Sequence, residues 1–217
     1  RKLPHMMDGL VPSRRKAFYT ARDTFKSANA KEIKVCSFAG TVMKKTNYHH
    51  GEASLSGTII KMAQNFVGAR NLPLLIGVGE FGSRKMGGSD SGSPRYISVK
   101  LNYKLSNAIY PKEDDFLLPY VFDEGERCEP LYYVPIVPMS IMEHTVIPAT
   151  GWKAEVWERD YKDVLRNARR MITGEYKKCK KLGLWLRGNN CDIRLGSDDR
   201  TYIVGKYTYD EKTDILT

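Results

Sequence analysis

Cysteine is scarce in this chain of 217 residues, and Cys36, Cys128, Cys179 and Cys191 never fall at a CxxC spacing. That pattern reads as reduced intracellular thiols and excludes a disulfide frame or a cysteine-based zinc site. Long hydrophobic runs are missing too: no apolar stretch approaches the roughly 18–20 residues that a membrane span needs. The first residues, RKLPHMMDGL, hold no apolar core of a signal peptide and no initiator methionine. The last, YTYDEKTDILT, look strand-like and carry no stop signal, so the chain is expected to be cut from something longer. Familiar catalytic signatures are absent as well. The loop GGSDSGSP is not followed by the lysine-serine pair of a phosphate-binding loop, and no GxSxG, HExxH or Cys–His arrangement occurs. There is no internal repeat and no low-complexity tract.

Positive charge is in excess. The formal net charge is +10, which points to a polyanion partner. Its distribution says more than its size. Residues 1–45 hold eleven Lys and Arg against three Asp and Glu, whereas residues 113–129 hold seven acidic residues against Arg127. Such polarity predicts an oriented electrostatic face.

Period and punctuation predict the elements. PSRRKAFYTARDTFKSAN, residues 12–29, opens with Pro and Ser and reads as a helix. Residues 31–45 predict a second, with Ile33, Val35, Phe38, Val42 and Met43 buried. Glu52 to Val67 predicts a third, because Leu55, Ile59, Met62 and Phe66 draw one apolar stripe. After Asn71, LPLLIGVGEFG reads as a buried strand, SRKMGGSDSGSPRY as a loop and YISVKLNY as a returning strand. Three short helices with a basic front, followed by a hairpin, predict an α+β winged-helix domain over residues 1–130. Five prolines between Pro119 and Pro148 exclude long helices there. A helix is expected to resume near Ala154, with Trp157, Tyr161, Val164, Leu165, Ala168 and Ile172 on one side, and short strands to follow. Residues 131–217 are assigned to a second unit.

Three clusters carry candidate chemistry. Arg95 and Tyr96 stand where the loop GSP meets a strand. A phenol becomes a nucleophile if a base takes its proton and a cation stabilises the charge that develops, and guanidinium matches phosphate geometry. The plainer reading is a surface tyrosine at a strand start. Joint action also needs a turned backbone, since neighbours on a strand point apart. In YHHGE, Tyr48, His49 and His50 precede a helix start whose free N–H groups favour anions; a metal pair or a helix cap are the alternatives. In PSRRK, the residues Arg14, Arg15 and Lys16 form either a solvated face or a set of contacts that fix phosphate register.

Taken together, MDGLVPSRRKAFYTA, EIKVCSFAGTVMKKTNYHHGEASLSGTIIKMAQNFVG, GEFGSRKMGGSDSGSPRYI, PIVPM and ATGW resemble, in order, the DNA breakage-reunion region of type IIA DNA topoisomerases. The likeness runs from Arg1 to Trp152. Beyond it the chain looks like the start of that family's tower domain, an α/β unit. The adjacent histidines are similar to the eukaryotic-type enzyme, DNA topoisomerase II, rather than to gyrase. The resemblance implies that Tyr96 attacks a phosphodiester of double-stranded DNA to form a 5′-phosphotyrosyl link, one on each half of a homodimer, with Arg95 stabilising the transition state. His49 and His50 match the DNA-contacting pair, Arg1 and Arg15 match basic positions lining the duplex, and Tyr48, Arg14, Lys16 and Arg84 complete the expected contact set. Mg2+ and ATP are implied for the longer enzyme on a TOPRIM domain and an ATPase domain outside this chain, with no cofactor held here. Alone, this chain is expected to bind DNA weakly and to cleave none.

Three departures stand out. Val11 replaces the family's lysine, Arg14 replaces its glutamine, and Pro148 replaces the isoleucine that wedges between base pairs. Such divergence resembles a virus-encoded branch of the African swine fever virus type. An intracellular site is expected: host cytoplasm if the protein is viral, nucleus if it is cellular.

Overall fold

Helix α1 (Pro12–Thr24) starts on a proline, whose missing N–H goes unused in a first helical turn. It stops well before residue 29, because Phe25 leaves the helix at φ −100 to pack, buried, against Phe38 at a ring distance of 5.7 Å. The computed structural model describes residues 3–198 and 200–216.

The second helix is shorter than its pattern predicts. Ile33 and Lys34 form a strand, β1 (Ile33–Lys34), and α2 (Val35–Thr46) begins only then. Helix α2 ends at Asn47, in the left-handed region at φ 44, where asparagine is tolerated. Helix α3 (Glu52–Ala63) likewise stops early, at Gln64, so Phe66 lies beyond it while Leu55, Ile59 and Met62 are buried as expected.

Strands β2 (Leu75–Val78) and β3 (Ser98–Leu101) pair antiparallel, with Leu75 opposite Leu101 and Val78 opposite Ser98. The other side of β3 takes β1, through Ile33 opposite Val99, giving the order β1-β3-β2. Helix, strand, two helices and a hairpin closing on that strand make a winged helix, and the fold class is α+β as the sequence predicts. The wing is the long loop between β2 and β3. Gln64, buried, donates from Nε2 to the carbonyls of Phe81 and Gly88, both at 3.0 Å, and ties the wing down. Gly88, at φ +81, has no room for a side chain there, since a Cβ would fall 2.2 Å from that same nitrogen.

A short helix α4 (Tyr103–Ile109) follows, then the hairpin β4 (Tyr120–Asp123) and β5 (Glu126–Pro130). Glu124 (φ 51) and Gly125 (φ 82) form its tip; two positive φ values suit the turns that match strand twist.

The helix expected near Ala154 is not there. Residues 152–156 form β7 (Trp152–Val156), paired with β6 (Thr145–Ala149) around Gly151 at φ 80. Helix α5 (Tyr161–Ile172) starts later, where Asp160 supplies a cap by accepting from the Lys162 amide at 2.8 Å. The apolar stripe drawn for it is largely solvated. Val164 alone of its six residues is buried, and Ile172 is fully at the surface. Short hairpins close the chain as expected: β8 (Asp192–Leu195) with β9 (Thr201–Val204), and β10 (Tyr209–Asp210) with β11 (Ile215–Leu216).

One apolar cluster runs from Phe18, Phe38, Leu55 and Val99 through Tyr110 to Tyr133, Val137, Met139 and Val164. Phe18 meets the rings of Tyr110 at 4.9 Å and Tyr133 at 5.2 Å, so residues just past 130 share the core of the three helices.

Candidate nucleic-acid interface

Tyr96 sits in a turn rather than on the strand. Its amide donates to the Ser93 carbonyl at 2.9 Å, and β3 begins only at Ser98. The turned backbone that joint action with Arg95 requires is therefore present. The start of α2 grips this turn. The Val35 amide donates to the Ile97 carbonyl (3.0 Å), the Cys36 amide to the Pro94 carbonyl (3.1 Å), and Lys34 Nζ to the Tyr96 carbonyl (2.7 Å). Two amides that a helix start leaves unpaired are thus used to hold a loop. The Tyr96 side chain is 78% exposed, and Arg95 is exposed beside it. Arg95 lines a cleft with Cys36, Glu52 and Ala53, which brings it to the first turn of α3.

On the other flank of that turn, Ser54 lines a groove with Ser13, Tyr48, His49 and His50. Tyr48 and His50 meet edge to face at 5.4 Å. His49 is exposed, and its Nε2 lies 2.8 Å from Asp123 Oδ2. Gly51 at the cap of α3 offers no side-chain acceptor, so this helix start presents its N–H groups to whatever enters. Arg84 is exposed on the wing.

Two cations of the PSRRK cluster, Arg15 and Lys16, are held by protein partners. Arg15 is buried, with Nε and Nη2 on the Asp8 carboxylate at 2.8 and 3.0 Å and Nη2 on the Leu10 carbonyl at 2.6 Å. Lys16 Nζ is held by the Thr46 carbonyl (2.5 Å) and Glu129 (2.8 Å). Arg14 lines a small cavity with Arg70 and Glu143. Burial above all, and then the neighbouring Arg70, bring its guanidinium down to about 10, with Glu143 working against them. Arg15 and Lys16 are thus matched by Asp8, Glu129 and two backbone carbonyls, while Glu143 pairs with Arg70 rather than Arg14. Val11 and Pro12 start the helix with those side chains turned inward.

The acidic segment 113–129 supplies the partners. Asp115 takes Arg22 at 2.8 Å, Asp123 takes His49, and Glu129 takes Lys16. Lys34 and Asp123 are the residues that the sequence reading missed; only the charge polarity pointed toward the second. Pro148 is exposed on β6, opposite Lys153 in β7 and one residue before the hairpin tip. Arg1 lies outside the described residues. Among the described residues, no three His, Cys, Asp or Glu side chains come together in a group able to hold a metal ion. No described helix is long and apolar enough to cross a membrane.

The family model for the DNA gyrase/topoisomerase IV A-subunit matches residues 1–216. The chain belongs to this family. A DNA topoisomerase 2 of African swine fever virus (isolate Pig/Kenya/KEN-50/1950) is 46% identical over 173 residues, which cover 79% of this chain and 14% of that protein. The DNA topoisomerase 2 of the Badajoz 1971 Vero-adapted strain is 45% identical over 232 residues, covering 100% of this chain and 19% of its own length. DNA topoisomerase 2-alpha of Cricetulus griseus is 43% identical over 175 residues, 81% of this chain and 11% of that protein. A crystal structure of the DNA-binding, cleavage and re-ligation domain of Plasmodium falciparum topoisomerase II superposes with a TM-score of 0.88 at 33% identity, over 96% of this chain and 28% of that one. The likeness read from the motifs, including its African swine fever virus flavour, thus stands as family membership. The chain spans under a fifth of the length of these curated relatives.

Proposed function

We propose that this chain is the DNA-breaking part of a type II DNA topoisomerase that acts as a homodimer on double-stranded DNA. The observation that supports it most is Tyr96 itself: 78% exposed, beside Arg95, on a turn fastened to the start of α2. In this reading the Tyr96 oxygen attacks a backbone phosphorus. A new P–O bond forms to the phenol, whose proton passes to a base. The bond from phosphorus to the 3′ oxygen breaks, and that oxygen leaves as a hydroxyl after taking up a proton. A 5′-phosphotyrosyl link remains, and the reverse attack by the 3′ hydroxyl reseals the strand. Arg95 stabilises the charge on the phosphoryl oxygens in the transition state. His49, His50, Tyr48 and Arg84 receive flanking phosphates, and the N-terminus of α3 adds its dipole. Residues 1–130 carry the winged-helix cleavage unit and residues 131–217 open the tower, with Tyr133 to Met142 packing back on the helical core. Mg2+ and ATP act on parts of the longer protein outside this chain. We place the protein inside the cell, in host cytoplasm for a viral source and in the nucleus for a cellular one. The deciding test is Tyr96→Phe in the longer enzyme, read as covalent protein–DNA adducts.

Pro148 is the wedge in this reading. It sits exposed near a hairpin tip, its φ is fixed, and apolar wedges between base steps kink DNA by about 20–90°. Pro148→Ala in the longer enzyme is expected to straighten the bound duplex, measured by energy transfer between dyes at its two ends. An unchanged end-to-end distance would remove Pro148 from this role.

A further inference from the structure

The β4–β5 hairpin grips the turn between α2 and α3 at two points. Asn47 Nδ2 donates to the Asp123 carbonyl at 3.1 Å, and the Asp123 carboxylate meets His49 Nε2 at 2.8 Å. Both anchors have fixed backbones, Asn47 in its left-handed cap and Asp123 directly before the tight Glu124-Gly125 tip. The main chain thus brings the Asp123 carboxylate within reach of the ring, and the Nε2 contact pairs them. A carboxylate only accepts hydrogen bonds, so Nε2 of His49 carries a hydrogen, and Nδ1 is the ring atom left for a ligand. The other charged groups lining the groove are already matched: Arg15 by Asp8, and Lys16 by Glu129. His50 turns its ring against Tyr48.

We infer that Asp123 is a positioning residue that acts through His49, fixing the orientation of the ring for contact with a backbone phosphate. This rests on the reading of His49 as a phosphate contact. With Nε2 held on Asp123, Nδ1 is the ring atom turned to the phosphate. Without Asp123, the ring turns freely and its nitrogens exchange roles.

The test is a double-mutant cycle in the full-length enzyme, made in the Tyr96→Phe background so that binding is read without cleavage. Affinity for a labelled duplex is measured by fluorescence anisotropy at constant salt. His49→Ala and Asp123→Ala are each expected to weaken binding about 3- to 10-fold, and the double variant to bind no worse than His49→Ala, because coupled neighbours are not additive. Asp123→Asn, whose amide oxygen can still accept from Nε2, is expected to lose less than Asp123→Ala. Losses that multiply in the double variant would overturn the inference, since Asp123 would then act without His49. So would unchanged binding in either single variant, or tighter binding in Asp123→Ala, which would make the carboxylate a competitor of phosphate. Should Asp123→Ala fail to fold, the cycle with Asp123→Asn decides by the same additivity. Failure of the catalytic reading shows up separately, as adducts that persist without the Tyr96 hydroxyl.

Discussion

Tyr96→Phe in the full-length enzyme is expected to abolish covalent protein–DNA adducts while leaving DNA affinity within about threefold, a change below ~0.7 kcal/mol. The substitution removes one oxygen and no charge, so contacts between cations and phosphates stay as they are. The ring is 78% exposed, and loss of a surface hydroxyl usually changes stability by less than about 0.5 kcal/mol. Lost activity then reports lost chemistry rather than lost structure. Arg95→Lys sharpens the result. It keeps a positive charge but loses the planar two-point match to phosphoryl oxygens, and removing one such stabiliser typically costs about 10²–10³ in rate. Slow but detectable adduct formation in Arg95→Lys, beside none in Tyr96→Phe, is the expected pair. The competing reading is a winged-helix module that only binds DNA. It predicts that both variants relax supercoiled DNA as well as the parent enzyme, and that outcome would defeat the catalytic assignment.

Asp8→Ala is expected to be the most destabilising single change in the winged-helix region, at about 3–5 kcal/mol, the usual cost of stranding one member of a buried ion pair. Asp8 is fully buried and accepts from four groups: the Leu10 amide (2.9 Å), the Tyr133 amide (2.9 Å), Arg15 Nε (2.8 Å) and Arg15 Nη2 (3.0 Å). Its removal leaves an arginine side chain that is only 6% exposed without a counter-charge, and two amides without acceptors. The link to Tyr133 also joins the start of the chain to a segment more than a hundred residues on. The shift of the urea midpoint measures the loss. Asp8→Leu combined with Arg15→Met is expected to recover a good part of it, because replacing both partners by apolar groups removes the uncompensated charge. A loss under about 1 kcal/mol for Asp8→Ala would contradict a buried, fully paired carboxylate.

Much of the winged helix was legible because its helices write their buried face at a regular period. Leu55, Ile59 and Met62 could hardly be read otherwise, and the glycines and serines of residues 82–93 announce the wing. What the sequence hid was decided by distant partners. Two residues of strand are too short to show a period, so Ile33 and Lys34 looked like helix until β3 paired with them. The segment 152–156 looked helical because alternation over five residues is a weak signal beside the strong pattern from Tyr161 onward. The pairing of the basic cluster was hidden for a similar reason. A positive charge reads the same whether it faces water or a carboxylate, and Glu129 sits 113 residues from Lys16 along the chain. The turned backbone at Tyr96 was legible because its neighbours in sequence, Ser93 to Arg95, also shape its turn. The contact between His49 and Asp123 was not legible, since it spans 74 residues.

The fastening of the Tyr96 turn to α2 has a bearing on fidelity. Three hydrogen bonds tie the backbone of the Tyr96 turn to the front of that helix. Under the proposed function, a strand end bonded to Tyr96 would travel with that helix. It would then come back in the register in which it left, so that a large excursion ends in a join rather than a lesion.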